Sequence, residues 1–158
     1  IVDRLVGSEM CIRDRSLGAL VGLLTPSKSN NFSALAVLDA PFDFETLVRE
    51  ELIYQGFSEL LWTPLYHYVL IFEGINLLAN NPEDSLKAGN KQPILIFNGM
   101  DNDRVLPHHT DDLIDSATEI GIELEINRYE ELGHTRVLYD YPKEFSIKLV
   151  QFFSRHLN

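Results

Sequence analysis

Three short stretches of the chain contain side chains that together could break and remake an acyl bond. Ser16 begins one of them, a loop rich in aspartate and asparagine follows the apolar residues 93–97, and His134 follows a later apolar stretch. A serine hydroxyl is a weak nucleophile until a neighbouring histidine takes its proton, and a third polar group orients that histidine. The chain therefore contains the residue types of a nucleophile, a base and an orienting group.

The serine is the weakest of these signals when it is taken alone. Apolar residues recur from Leu17 to Leu24 and predict a short helix, so Ser16 has an ordinary explanation as the N-cap of that helix. Its place in the chain favours the nucleophile interpretation, because a helix, a buried strand, the acidic loop and the histidine follow it in that order.

The elements that must position these residues alternate between strands and helices. Nearly continuous apolar runs predict two strands covered on both faces, and a third run alternates between apolar and polar residues. Helices are predicted from Thr110 to Gly121 and from Pro142 onward. Right-handed crossovers through the helices make such strands parallel, so we predict an α/β fold with a parallel sheet and helices on both faces. The predicted strands lie near residues 34–39, 93–97 and 123–129.

Two of the loops resemble those of the α/β-hydrolase superfamily. Residues 99–107, GMDNDRVLP, are similar to its acid loop, which is commonly Gly-x-x-Asp followed by Val and Pro. The closest likeness is to the prolyl-oligopeptidase-like and esterase branch, where this loop often has the pattern Asp-x-Arg-Val. Residues 131–134, ELGH, are similar to the loop that carries the catalytic histidine. The resemblance implies the C-terminal part of an α/β-hydrolase fold, with the N-terminal strands missing.

The resemblance also implies a Ser-His-acid triad that cleaves an ester or amide (peptide) bond. Ser16 would be the nucleophile of the motif Gly-x-Ser-x-Gly, in which Gly18 matches and Asp14 stands in place of the first glycine. His134 would be the general base, and the amide N–H of Leu17 would be one oxyanion donor. The second donor normally comes from an early loop, which we expect to be absent from this chain.

The acid position depends on how the acid loop is aligned. Counting forward from Gly99 by Gly-x-x-Asp gives Asn102, and the position of Arg104 in Asp-x-Arg-Val gives the same residue. Counting back from Pro107 gives Asp103 instead. We favour Asn102, which two anchors support, and keep Asp103 as the alternative, with Asp101 as a third, less favoured candidate. A neutral amide can orient a histidine but offsets little of the charge it gains, so Asn102 predicts weak hydrolysis.

Two other carboxylates lie near the end of the first buried strand. Asp39 and Asp43 are both candidates for a triad acid by type and position. We favour the simpler interpretation that they are loop and helix N-cap carboxylates.

Residues 44–91 are predicted to form a helical insertion. Insertions at this point of the resembled fold often cover the active site, so Trp62, Tyr66 and Tyr68 are candidates for lining a substrate pocket. Ordinary packing of these aromatic side chains explains the pattern at least as well. The histidines, carboxylates and single cysteine do not have convincing metal-ligand spacing, so we expect no metal and no cofactor.

Residues 1–15, IVDRLVGSEMCIRDR, do not fit the pattern of the rest of the chain. Charges interrupt every apolar pair, and the long apolar region of a signal peptide is missing. The segment resembles translated adapter or primer sequence. We therefore predict a non-native leader at residues 1–15 and a partial hydrolase domain at residues 16–158.

Composition restricts the class of partner. The chain has 158 residues, the length of one domain, and a net charge of −11, which argues against nucleic acid and anionic membrane surfaces. Its single cysteine, Cys11, excludes an internal disulfide, and no apolar stretch has the length of a membrane span. We expect a small-molecule ester or peptide substrate, and the cytoplasm is the default compartment.

Two classes of function are compatible with the sequence. The first is a serine hydrolase, either an esterase or a prolyl-oligopeptidase-like peptidase. The second is a non-catalytic α/β-hydrolase-like binding protein or an inactive fragment. The residue types at Ser16 and His134 favour the first, and the amide at Asn102 is the feature that favours the second.

Overall fold

The computed structural model describes residues 11–29, 31–79 and 81–157, in which strands and helices alternate. The strands are β1 (Cys11–Arg15), β2 (Ala34–Leu38), β3 (Ile94–Gly99) and β4 (Leu124–Tyr129). The helices are α1 (Leu17–Leu24), α2 (Phe44–Tyr54), α3 (Trp62–Phe72), α4 (Pro82–Ala88), α5 (His108–Glu119), α6 (Val137–Asp140) and α7 (Pro142–His156), and a short 3-10 turn at Glu59–Leu61 precedes α3.

The strands form one parallel sheet in the order β1-β2-β3-β4. Every residue of β2 and β3 is buried, as expected for inner strands of a parallel sheet with both faces covered. The register pairs Leu35 with Ile94 and Ile94 with Leu124. The α/β class, the parallel sheet and the three strands predicted from the sequence are confirmed, apart from small differences at the strand ends.

Helices cover both faces of the sheet, and alternate residues of the strands point to opposite faces. On one face, Leu35 and Ile96 pack against side chains of α1, α4 and α5, which include Leu23, Leu86 and Leu113. On the other face, a second cluster joins the strands to α6 and α7. Its buried members are Ala34, Ala36, Leu38, Leu95, Phe97, Val137, Phe145 and Phe152.

Residues 11–15 belong to the fold, although the sequence analysis assigns them to a non-native leader. These residues form β1, which pairs with β2 along its whole length, from Cys11 opposite Ala34 to Arg15 opposite Leu38. Strand pairing uses backbone N–H and C=O groups that almost every residue provides, so the charged sequence of this segment does not prevent it. Residues 1–10 lie outside the described residues, and the non-native origin of the segment stays a prediction.

The predicted insertion at 44–91 is divided by the structure. Helices α2 and α3 lie outside the sheet core, and only Trp62 of their side chains is buried. Helix α4, by contrast, packs into the core through Leu86, which is 1% exposed. The helices that lie outside the core therefore occupy a shorter segment than the predicted insertion at 44–91. Asn81 caps α4 and Pro82 begins it, and neither residue type indicates whether the helix packs into the core.

Helix α5 begins earlier than its sequence indicated. Thr110 was the predicted cap, but the helix starts at His108, and Thr110 is buried within its first turn. Tertiary packing of this turn against the rest of the fold overrides the local capping preference of threonine. In the described part of the chain, no helix has both the length and the apolar character needed to cross a membrane.

Candidate active site

Four polar side chains meet at one edge of the sheet because each follows the carboxyl end of a parallel strand. Ser16 follows β1 and Asp39 follows β2, while Asn102 and His134 lie in the loops after β3 and β4. Parallel strands all end at the same edge, and this edge is where open α/β sheets bind ligands. Residues far apart in the sequence therefore become neighbours.

Ser16 occupies a sharp turn between β1 and α1. Its backbone has φ 52° and ψ −132°, a conformation that L-residues rarely adopt, and its N–H donates to the carbonyl oxygen of Leu38 at 2.9 Å. Although Ser16 is at the N-cap position, its side chain makes no capping hydrogen bond to α1. A strained turn that lifts a serine hydroxyl away from the following helix is the geometry of a nucleophile elbow.

The hydroxyl of Ser16 is directed at the histidine. His134 Nε2 lies 3.0 Å from Ser16 Oγ, which is hydrogen-bond distance for a nucleophile and its base. The His134 ring is half-buried, and this desolvation lowers its pKa, partly offset by the negative charge of Asp39. Burial therefore favours the neutral form of the imidazole.

Asn102 contacts the other nitrogen of the same ring. Asn102 is 3% exposed, and its Nδ2 lies 3.1 Å from His134 Nδ1. Asp103, the alternative acid, is exposed, and its charge acts on His134 only as a minor contribution that raises the pKa. Asp101 is exposed as well, so of the three loop residues considered for the acid position the structure brings Asn102 to the histidine.

The backbone fixes which end of the Asn102 amide faces the histidine. Asn102 Oδ1 accepts hydrogen bonds from the N–H groups of Arg104 and Val105, both at 3.0 Å. Turning the amide over would place two N–H donors against its NH₂ group, so Nδ2 must point at His134.

This orientation selects a histidine tautomer. Because Asn102 Nδ2 only donates, His134 Nδ1 must accept, and the proton of the neutral ring is on Nε2. That proton then points at Ser16 Oγ, so no lone pair is available there to take the serine proton. With this contact in place, the base is held in the unproductive tautomer.

Asp39 is the carboxylate beside the histidine. The sequence analysis favoured a simple loop role for it, but Asp39 is 1% exposed and its Oδ2 lies 4.0 Å from His134 Nδ1. Asp43 does match the N-cap role, because its Oδ1 accepts from the Thr46 N–H at 2.7 Å. The signal that could have identified Asp39 is an acidic residue directly after a fully buried strand.

A pocket of about 280 Å³ opens beside Ser16. Its wall is mostly apolar, and an Arg104–Glu51 ion pair borders it, with Arg104 donating to both Glu51 carboxylate oxygens at 2.9–3.2 Å. The lining residues are Leu17, Phe44, Leu47, Glu51, Arg104 and Val105, together with Ser16 and His134. This is the size and chemistry of a subsite for a small apolar group.

The aromatic residues predicted for the pocket lie elsewhere. Trp62 is buried, with its ring stacked on Tyr66 at 5.6 Å and edge-on to Phe44 at 6.4 Å. Tyr68 is 55% exposed. The packing explanation is therefore right for Trp62, and Phe44 is the aromatic side chain that reaches the pocket.

A second polar cluster joins α2 to α5 through Glu50, His108 and His109. His109 is fully buried although it lies in the first turn of α5, and its Nδ1 accepts the Phe42 N–H at 3.2 Å. That hydrogen bond puts the His109 proton on Nε2, which donates to Glu50 at 3.1 Å. Hydrogen bonds occupy both nitrogens of the His109 ring, so neither nitrogen suits a metal ion.

The lowered pKa of His134 predicts a pH dependence for any reaction in which this ring acts as the base. Protonation would remove that base, and the pKa lies below the ordinary histidine value of 6.5, so the acidic limb of kcat/KM is expected below pH 6.5. The pH profile of the complete protein measures this limb, and the ring ¹⁵N shifts of His134 measure the same pKa directly. An acidic limb clearly above pH 6.5 would contradict it.

No protein-family model matches the chain, and no curated protein matches it, whereas solved structures do. The Pf2001 esterase of Pyrococcus furiosus superposes with a TM-score of 0.69 and 17% identity, covering 95% of this chain and 54% of the esterase. The acylaminoacyl peptidase of Pyrococcus horikoshii superposes with a TM-score of 0.67 and 18% identity, covering 95% of this chain and 24% of that one.

A third similar structure is MGS-MChE2, an α/β hydrolase enzyme from a sediment metagenome of the Mar Chica lagoon. It has a TM-score of 0.60 and 18% identity, and the match covers 98% of this chain and 65% of that one. The chain thus spans about half the length of the Pyrococcus furiosus esterase. At these identities the likeness establishes the fold, so the chain has part of an α/β-hydrolase fold, as its loops predicted.

Proposed function

We propose that this partial α/β-hydrolase fold belongs to a serine hydrolase that cleaves an ester or amide bond. The observation that carries the proposal is the hydrogen-bonded pair of Ser16 Oγ and His134 Nε2, 3.0 Å apart, at the mouth of a mostly apolar pocket. The strained backbone of Ser16 supports it, because such strain persists where a side chain must be presented in a particular direction.

The reaction would proceed through an acyl-enzyme. His134 Nε2 takes the proton of Ser16 as Oγ forms a bond to the substrate carbonyl carbon, giving a tetrahedral oxyanion. When the bond to the leaving alcohol or amine breaks, His134 returns the proton to that group. A water molecule then repeats the sequence on the ester of Ser16, releasing the acid and restoring the hydroxyl.

The backbone N–H of Leu17 would stabilise the oxyanion. Leu17 directly follows the serine and is the first residue of α1, where N–H groups point out of the helix end and favour negative charge. In the resembled fold a second donor comes from an earlier loop. Loss of one such donor lowers turnover by about 10²–10³-fold. The proposed hydrolysis is therefore the activity of a protein in which both donors are present.

Labelling by an organophosphonate tests the proposal in the complete protein. The probe traps a nucleophilic serine, and we expect a stable adduct on Ser16, located by peptide mass spectrometry. Ser16→Ala should abolish labelling, while Ser146→Ala, which removes an exposed serine of α7, should leave it unchanged. Absence of an adduct on a folded protein would contradict the hydrolase proposal.

The second candidate function is a non-catalytic ligand-binding protein built on the same fold. The contact between Asn102 Nδ2 and His134 Nδ1 favours it, because it holds the base in the unproductive tautomer. A folded protein that binds short esters without turning them over, and that fails to react with the phosphonate, would support this candidate.

A further inference from the structure

We infer that Asp39, at the end of β2, is the carboxylate that positions His134 and balances its charge during the reaction. This inference rests on the proposed hydrolase function. Asp39 would act through His134 and would not touch the substrate, so it is a positioning residue. It would supply the negative charge that Asn102 lacks.

The environment of Asp39 keeps its carboxylate next to the ring. Its Oδ1 accepts the Gly99 N–H at 2.9 Å and the side-chain amide of Asn98 at 3.3 Å. Its Oδ2 accepts the Thr135 N–H at 2.6 Å. A carboxylate has about four acceptor positions, so Oδ2 keeps one that can accept a hydrogen bond from the Nδ1–H group of His134.

The backbone supports the same arrangement. Ser16, Asp39 and Thr135 all have positive φ, at 52°, 47° and 56°, and Lys91 is the other non-glycine residue of the described part with this property. Three of the four therefore surround His134. Left-handed conformations are costly for residues such as Ser and Thr, and their concentration here indicates a site whose geometry the fold imposes.

The reactive tautomer brings His134 and Asp39 together. To accept the serine proton, the ring must carry its resting proton on Nδ1, where it would face the donating amide of Asn102. Asp39 Oδ2, at 4.0 Å, can accept a hydrogen bond from that Nδ1–H group after a ring shift of about 1 Å, a tightening that is common when substrate binds. When Nε2 then takes the proton of Ser16, the ring becomes a cation beside a buried anion.

The other charges around the His134 ring are more exposed than Asp39. Arg104 and Asp103 lie in the loop after β3, and Arg15 ends β1, and all three are exposed. Arg104 is paired with Glu51. Asp39 is therefore the fully buried charge that faces His134 among the described residues, and burial makes its field the least screened by water and salt.

A double-mutant cycle separates this role from a purely structural one. We expect Asp39→Asn to lower kcat by about 10²-fold, because the buried carboxylate of Asp39 stabilises the positive charge that His134 gains. In an Asn102→Asp background the loss should shrink to about threefold or less, because residue 102 then supplies the charge. Equal losses in both backgrounds would mean that Asp39 only anchors Thr135 and Gly99, and would overturn the inference.

The pH dependence gives an independent result that an anchoring role does not produce. Removing the Asp39 charge should lower the pKa of His134 further, moving the acidic limb of kcat/KM to lower pH. Asp115→Asn, which removes an exposed carboxylate of α5, is the matched control and should leave the limb in place. An unchanged limb in folded Asp39→Asn would overturn the inference.

A measurement on the unsubstituted protein covers the case in which Asp39→Asn does not fold. Phosphonylation of Ser16 leaves His134 able to protonate, and a proton shared between Nδ1 and a carboxylate resonates far downfield in the ¹H spectrum. We expect this downfield ¹H resonance in the phosphonylated protein, and we expect its proton to exchange slowly with water. Its absence from an adduct in which His134 is protonated would overturn the inference, whereas failure of Ser16 to label at all would instead overturn the proposed function.

Discussion

An Asn102→Asp variant is expected to hydrolyse short esters about 10²–10⁴ times faster than the unsubstituted protein. In a serine protease the reverse change lowers turnover by about 10⁴-fold through the wrong histidine tautomer. Here Oδ1 of residue 102 would keep its hydrogen bonds to the Arg104 and Val105 N–H groups. The second oxygen would replace Nδ2 at 3.1 Å from His134 Nδ1 and accept a hydrogen bond from Nδ1–H, leaving the Nε2 lone pair for Ser16.

Kinetics of a chromogenic ester and the ring ¹⁵N spectrum of His134 test this expectation together. The spectrum should change from the Nε2–H to the Nδ1–H tautomer, and the acidic limb of kcat/KM should move to higher pH, because a new carboxylate raises the pKa of His134. Asn31→Asp adds the same charge at an exposed position and is the control, expected to change neither.

Two outcomes would contradict the assignment of residue 102. If Asn102→Asp left activity unchanged while Asp103→Asn abolished it, the acid of the loop would be Asp103. If the unsubstituted protein already carried the Nδ1–H tautomer at rest, the Asn102 amide would not control the ring, and the expected gain would disappear.

Phe97→Ala is expected to lower the free energy of unfolding by about 3–5 kcal/mol, the usual cost of emptying a phenylalanine site in a core. Phe97 is 1% exposed, and its ring lies 4.5 Å from that of Phe145, which joins β3 to α7. Phe152 and Val137 are buried in the same cluster, so the substitution would leave a cavity among side chains that are already packed. Chemical denaturation of the complete protein measures the change.

The same substitution should also reduce activity, because Phe97 lies two residues before Gly99, where the loop that carries Asn102 begins. Phe72→Ala is the control, since Phe72 is 71% exposed on α3 and should change stability by no more than about 0.5 kcal/mol. A loss at Phe97 no larger than at Phe72 would show that the β3–α7 contact is not a core contact.

The sequence by itself determined the class of fold and the chain order of the candidate site. Apolar runs identified β2 and β3 because inner strands of a parallel sheet must be apolar on both faces, and the structure buries all of their residues. The alternating pattern identified β4, but the burial of β4 does not follow that pattern, because Ile126 is 44% exposed and Asn127 is partly buried. These are local signals, carried by residues within one element.

The tertiary structure decided which polar atoms meet. Asp39 lies 96 residues from the Thr135 N–H that it binds, and the packing of three strands sets its distance to His134. The tautomer of His134 depends on two backbone N–H groups that hold the Asn102 amide, and no residue pattern specifies the direction of an amide. The candidate residues could be identified from the sequence. Their hydrogen-bond partners depend on which distant strands end at the same edge of the sheet.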